Sequence, residues 1–150
     1  MGYIEKLREK IGHDPLLLPR TSVIVLDRKI GVLLQKRRDG IWNLPGGFLE
    51  LEETVEQAAR REVKEETGVE IGEVSLLGIF SGKEYFKEME NGDQVYPLSI
   101  HFLSTDILAG GPSEDGDEAI GAKYFPIDQL PKHLSPFARR VIDHYGASFF

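Results

Sequence analysis

The segment GFLELEETVEQAARREVKEETGV, Gly47 to Val69, contains seven glutamates. Three of them, Glu62, Glu65 and Glu66, stand at spacings of three, one and four residues. Thr54 and Gln57 have the spacing of a capping box, which predicts a helix starting at Thr54. Gly68 is placed to stop it. At about 100° per residue, Val55, Ala58, Ala59 and Val63 form one apolar stripe. Glu62 and Glu66 fall inside that stripe and Glu65 on its edge. Gln57, Arg60, Lys64 and Thr67 are expected on the opposite side.

A solvated helix laced with ion pairs would carry its glutamates on the outer face, alternating with Lys and Arg. Here the basic residues face outward and the glutamates do not accompany them. An inward i,i+4 pair of like charges is unfavourable unless a cation compensates. Arg61 answers part of that charge. A hard divalent cation, Mg²⁺ or Mn²⁺, would answer the rest, because such ions prefer carboxylate oxygens and also bind the phosphates of a substrate.

The rest of the chain narrows the class. Its 150 residues suit one domain, 1–150, with a core of ordinary size. A net charge of −7 and a pI near 5.1 argue against a general nucleic-acid binder but leave room for a small phosphorylated substrate. With no cysteine, disulfides, thiolate-bound zinc and a cysteine nucleophile are excluded. The four histidines, 13, 101, 133 and 144, are scattered and read as structural or surface residues. The first residues lack a signal-peptide core, and no apolar run approaches membrane-spanning length, so the cytoplasm is the expected compartment.

Apolar spacing predicts a short amphipathic helix over 3–12, packed on the domain. TSVIVLD and IGVLLQKR read as adjacent strands joined by a turn. DGIWNLPGG reads as a loop. EVSLLGIFSG is expected as a strand, and 84–107 as two strands around the Asn91-Gly92 turn. LAGGPSEDGDEAIG reads as an acidic loop and AKYFPI as a short strand. A closing helix is capped by Ser135, with Pro136 at its first position. Interleaved helices and strands indicate a layered α/β domain.

From Gly47, five residues lead to Glu53 and seven more to Arg61-Glu-Val-Lys-Glu-Glu-Thr-Gly-Val69. This matches every fixed position of G-x5-E-x7-R-E-U-x-E-E-x-G-U, where U is aliphatic, with LPGG directly upstream. In this the chain resembles the Nudix (MutT-like) hydrolases. The resemblance extends from about Thr21 to Leu130, and KYFPIDQLP is similar to the segment closing many Nudix domains.

The resemblance implies an α/β/α fold with a mixed, curved sheet between helices. It also implies Mg²⁺- or Mn²⁺-dependent hydrolysis of the pyrophosphate bond in a nucleoside diphosphate linked to a group X. Two substrate groups stay open: ADP-ribose or another nucleotide sugar, and a nucleoside triphosphate. Carried over by position, Glu62, Glu65 and Glu66 would be metal ligands, joined by the carbonyl of Gly46 or Gly47. Arg61 would orient the glutamates through a salt bridge to Glu53. A carboxylate takes the proton of the attacking water; Glu62 and Glu65 in the box and Glu118 in a later loop are the candidates. The sequence departs from the common pattern at Glu52, where many members have glycine. The alternative activity is non-hydrolytic nucleotide sensing.

Outside the motif, Arg37 and Arg38 end a strand expected beside the box loop and are candidates for gripping phosphate. Trp42 reads as a packing residue. Tyr85, Phe86 and Tyr96 flank the Asn91-Gly92 turn and suit either cross-strand pairing or a pocket wall. The apolar tail Gly146–Phe150 suits packing on the domain or on a second copy in a homodimer.

Overall fold

A computed structural model describes residues 2–112 and 121–146. The elements run α1 (Tyr3–Ile11), β1 (Leu16–Asp27), β2 (Gly31–Lys36), β3 (Trp42–Asn43), β4 (Gly46–Phe48), α2 (Val55–Thr67), β5 (Val69–Ile71), β6 (Ser75–Phe80), β7 (Lys87–Glu88), β8 (Gln94–Ser104), β9 (Ile107–Gly110), β10 (Ala122–Phe125) and α3 (Pro136–Tyr145). The main sheet is ordered β10-β2-β1-β8-β6; β3, β4 and β7 attach to β2, β1 and β8, while β5 and β9 form a separate ribbon. The β1–β8 pairing is parallel and the remaining ladders are antiparallel.

Strand β1 is the spine. One edge pairs with β8 from Leu16↔Val95 to Val25↔Ser104. The other edge pairs first with β4, Arg20↔Phe48 to Ser22↔Gly46, and then with β2 at Leu26 and Asp27. Alternate side chains of a strand face opposite ways, so β1 divides its apolar residues between two cores. Val23 and Val25 join Leu33, Ala59, Val63, Ile100 and Phe102 beneath α2. Ile24 and Leu26 join Val32, Leu34, Leu44, Ala138, Val141 and Ile142 beneath α3. The result is the α/β/α layering.

Several expectations need correction. β1 begins at Leu16 rather than Thr21, because the parallel ladder to β8 holds LLLPR in extended form despite Pro19. DGIWNLPGG is not all loop: β3 folds back on the neighbouring β2, and β4, which begins in it, pairs with the sequence-distant β1. The start of LAGGPSEDGDEAIG is strand rather than loop: β9 (Ile107–Gly110) forms there by pairing with β5, a short strand the sequence pattern did not signal. The first arm of the Asn91-Gly92 hairpin is only Lys87–Glu88, preceded by a 3₁₀ turn at Lys83–Tyr85. α1 ends at Ile11, one residue short of the expected 3–12 because Gly12 caps it, and it buries no residue fully. Arg8 ties it down by donating to the carbonyls of Gly12, Asp14 and Gln94 at 2.9, 2.6 and 2.7 Å. Among the described residues no helix is long and apolar enough to cross a membrane.

Candidate active site

Helix α2 starts as its sequence requires. Thr54 accepts from the Gln57 N–H at 3.0 Å, while the Gln57 side chain accepts from the Thr54 N–H at 2.9 Å. Gly68 closes the helix at φ 76° in the left-handed region, where glycine has no Cβ penalty. Ala58, Ala59 and Val63 are buried. Thr67 is fully buried too, contrary to its expected outward position. Its hydroxyl donates to the Val63 carbonyl (2.6 Å) and accepts from the Val69 N–H (3.2 Å), so burial leaves that polar group satisfied.

The pairing of β4 with β1 sets the floor of the site. A Cβ on Gly46 would lie 2.1 Å from the Thr21 carbonyl oxygen, so glycine is needed for the strand to close on β1. A Cβ on Gly47 would lie 2.5 Å from a Glu62 carboxylate oxygen. Backbone and carboxylate thus approach more closely than any other residue would permit.

Above that floor, Arg61 binds Glu53 through Nε (2.5 Å) and Nη2 (3.0 Å), a bidentate fork. Its Nη1 donates to Glu62 (2.9 Å) and Glu65 (3.2 Å), and Nη2 also reaches the Phe48 carbonyl (3.2 Å). The hydrogen bond to Glu53, followed by the charges of Glu62 and Glu53, holds the guanidinium more firmly protonated than usual against its burial. Reciprocally, Arg61 and the Glu50 N–H keep Glu53 below the usual carboxylate range against the effect of burial.

Glu66 is different. It accepts from Gln35 Nε2 and from the Gly46 N–H (3.2 Å). Burial, and then the neighbouring Glu62, drive its carboxyl far above the ordinary range; Gly46 and Arg20 oppose that rise.

The turn before α2 keeps a left-handed residue even though glycine is absent. Glu52 has φ 66°, the sole positive φ at a non-glycine among the described residues. Arg37 pairs with Asp39 at 3.2 Å and lines a cavity beside the sheet. Arg38 is exposed and does not line that cavity. Glu118 lies outside the described residues, as do 147–150 of the apolar tail. Trp42 packs edge-on to Phe125 (4.9 Å, 75°), and Phe86 packs on Tyr96 (5.0 Å).

The residue that sequence reading missed is Arg20. It follows Pro19 with no motif around it, yet it stands near Glu62 and Glu66, whose charges act on it. The available signal was alternation: Arg20 falls on the same β1 face as Ser22, Ile24 and Leu26, an isolated charge in a row leading to apolar core.

A hard divalent cation fits this donor set. Glu62 and Glu66 are carboxylates crowded at low exposure, and Gly47 lets backbone come to meet them. As they stand, no three acidic or histidine side chains among the described residues are grouped so as to hold a metal ion. Glu65 is more than half exposed, and Arg61 draws Glu62 and Glu65 toward itself.

The comparisons agree with this architecture. The NUDIX domain model matches residues 16–145. The chain belongs to the Nudix hydrolase family. It is 38% identical to an ADP-ribose pyrophosphatase of Methanocaldococcus jannaschii, over 86% of this chain and 75% of that protein. It is 32% identical to an oxidized purine nucleoside triphosphate hydrolase of Mus musculus, over 74% of this chain and 67% of that protein. Among solved structures it resembles a MutT NUDIX hydrolase from Burkholderia pseudomallei: TM-score 0.66, 25% identity, covering 85% of this chain and 97% of the other.

Proposed function

We propose that residues 1–150 form one Nudix domain that hydrolyses the pyrophosphate bond of a nucleoside diphosphate linked to X, with Mg²⁺ or Mn²⁺ as cofactor. The observation that carries this is the inward crowding of Glu62 and Glu66 against the glycine backbone of β4. Glu62, Glu65, Glu66 and the carbonyl of Gly46 or Gly47 would hold the metal. When bound, the metal supplies charge neutralisation at the diphosphate and activation of the attacking water.

The chain's own groups do the rest. Arg61, braced by Glu53, fixes the direction of Glu62 and Glu65. Glu62 would take the water proton, with Glu65 and Glu118 as the alternative bases. Arg37, and Arg38 beyond it, supply cations toward the substrate phosphates. The identities of the named relatives support both open substrate groups, the nucleotide sugar and the triphosphate.

Phosphate release across ADP-ribose, other nucleotide sugars and nucleoside triphosphates, with Mg²⁺ or Mn²⁺ and with EDTA, tests the reading. Metal-dependent turnover of one group is expected. Glu66→Gln should lower that turnover by orders of magnitude while the protein stays folded, since the change removes a repulsion along with a ligand. A wild-type rate in Glu66→Gln sinks the mechanism. Tight nucleotide binding without any turnover would make the domain a sensor.

A further inference from the structure

Strand β2 sends alternate side chains to the two cores. Leu34 packs beneath α3 and Leu33 beneath α2. Two residues after Leu33, Gln35 falls on the α2 side again, so the apolar row on that side ends in an amide. Its rung holds Asn43 of β3 on one side and Ala122 of β10 on the other. Ala122 belongs to the core beneath α2, so only a methyl group flanks Gln35 there.

Across the gap to α2 the amide meets Glu66. Gln35 Nε2 donates to Glu66 Oε2, and the Gly46 N–H donates to Oε1 at 3.2 Å. One carboxylate is thus held by both of its oxygens, one from β2 and one from β4. An ionised carboxylate offers about four lone-pair sites. These two donors use one on each oxygen and leave one on each free for a cation. The last torsion of a glutamate side chain is broad, with no sharply preferred angle. Without Gln35 the group would pivot on its single bond to Gly46.

Among the described residues, the N–H donors to Glu66 are both uncharged. That separates it from Glu53, Glu62 and Glu65, which all accept from the guanidinium of Arg61. A guanidinium orients a carboxylate and also neutralises it. An amide orients the group and leaves its negative charge in place.

We propose that Gln35 is a positioning residue for the metal: it aims Glu66 at a divalent cation without cancelling the charge of Glu66. Gln35 touches neither metal nor substrate and acts through Glu66 alone. The assignment rests on the metal site of the hydrolase reading above. Groups that hydrogen-bond to a metal ligand in this way set metal affinity by roughly ten- to hundredfold.

The experiment is a Mn²⁺ titration without nucleotide, read by the electron paramagnetic resonance signal of the free ion, with thermal midpoints and turnover measured alongside. Gln35→Met keeps an unbranched side chain of similar length and removes the donor. It should weaken Mn²⁺ binding by roughly ten- to hundredfold, whereas a merely structural role would lower the metal-free midpoint and leave Mn²⁺ affinity alone. Gln129→Met, at an exposed glutamine in the 3₁₀ turn Ile127–Gln129, should match the wild type throughout. In a Glu66→Gln background, Gln35→Met should weaken Mn²⁺ no further, because the two residues act as a unit. If Gln35→Met fails to fold, Gln35→Asn keeps the amide, falls one methylene short, and should weaken Mn²⁺ as well.

Wild-type Mn²⁺ affinity in a folded Gln35 variant would overturn the assignment and leave the hydrolase reading intact. So would fully additive losses in the double variant. A wild type that binds no Mn²⁺ would overturn both. Gln35-dependent Mn²⁺ binding without turnover of any nucleotide would refute hydrolysis and leave this assignment standing.

Discussion

Glu52 shows how one side chain sets a local cost. A non-glycine residue at φ 66° pays about 1 kcal/mol or more for its Cβ. Glu52→Gly should therefore raise stability by up to about 1 kcal/mol, after the extra flexibility it gives the unfolded chain is subtracted. Urea denaturation midpoints measure this, and a lower midpoint would show that the glutamate holds the turn by contacts worth more than the strain. Gly46 and Gly47 make a contrasting pair. Alanine at 46 collides with β1 backbone and should unfold the protein or lower its stability severely. Alanine at 47 meets first the end of the Glu62 side chain, which can move. Gly47→Ala should thus keep the fold and lose most of the activity, as circular dichroism and turnover measured side by side would reveal.

Among the elements, α2 was legible nearly in full because its determinants are local. The Thr54–Gln57 box, the apolar spacing and Gly68 act within a few residues of one another. Removing the cap with Thr54→Ala should cost about 1 kcal/mol, and it should loosen the first turn that leads to Arg61. The resulting loss of turnover should exceed what the small fall in thermal midpoint explains; equal rates would show that Arg61 is held by Glu53 alone. β3, β4 and the first third of β1 were not legible. Trp42–Asn43 and Gly46–Phe48 are too short for a period to emerge, and Pro19 reads as an interruption until β8 is known to lie beside it. Arg20 was hidden for the same reason: its neighbours Phe48 and Phe137 come from β4 and α3.

Across the whole molecule, the acid response should report His101. Burial first, then the charges of Arg20 from β1 and His144 from α3, lower this imidazole from 6.5 to about 4. The folded state thus resists a proton that the unfolded chain accepts. This contribution to stability is complete above pH 6.5 and is lost as pH falls toward about 4, up to roughly 3 kcal/mol in all. His101→Gln should flatten the dependence of unfolding free energy on pH across that window, and an unchanged slope would place the acid sensitivity elsewhere. The proposed metal site has its own global signature. Mg²⁺ or Mn²⁺ should raise the thermal midpoint of the wild type and shift that of Glu66→Gln far less.

The spine strand carries a kinetic consequence. Leu16 must find Val95, and Val25 must find Ser104, before β1 can separate the two cores. That parallel ladder closes across α2 and most of the other strands, so its loop entropy falls due before the contacts that repay it. The emerging chain cannot close this ladder until residue 104 has left the ribosome. A truncation ending before β8 should remain without cooperative unfolding, however faithfully it retains the glutamate helix.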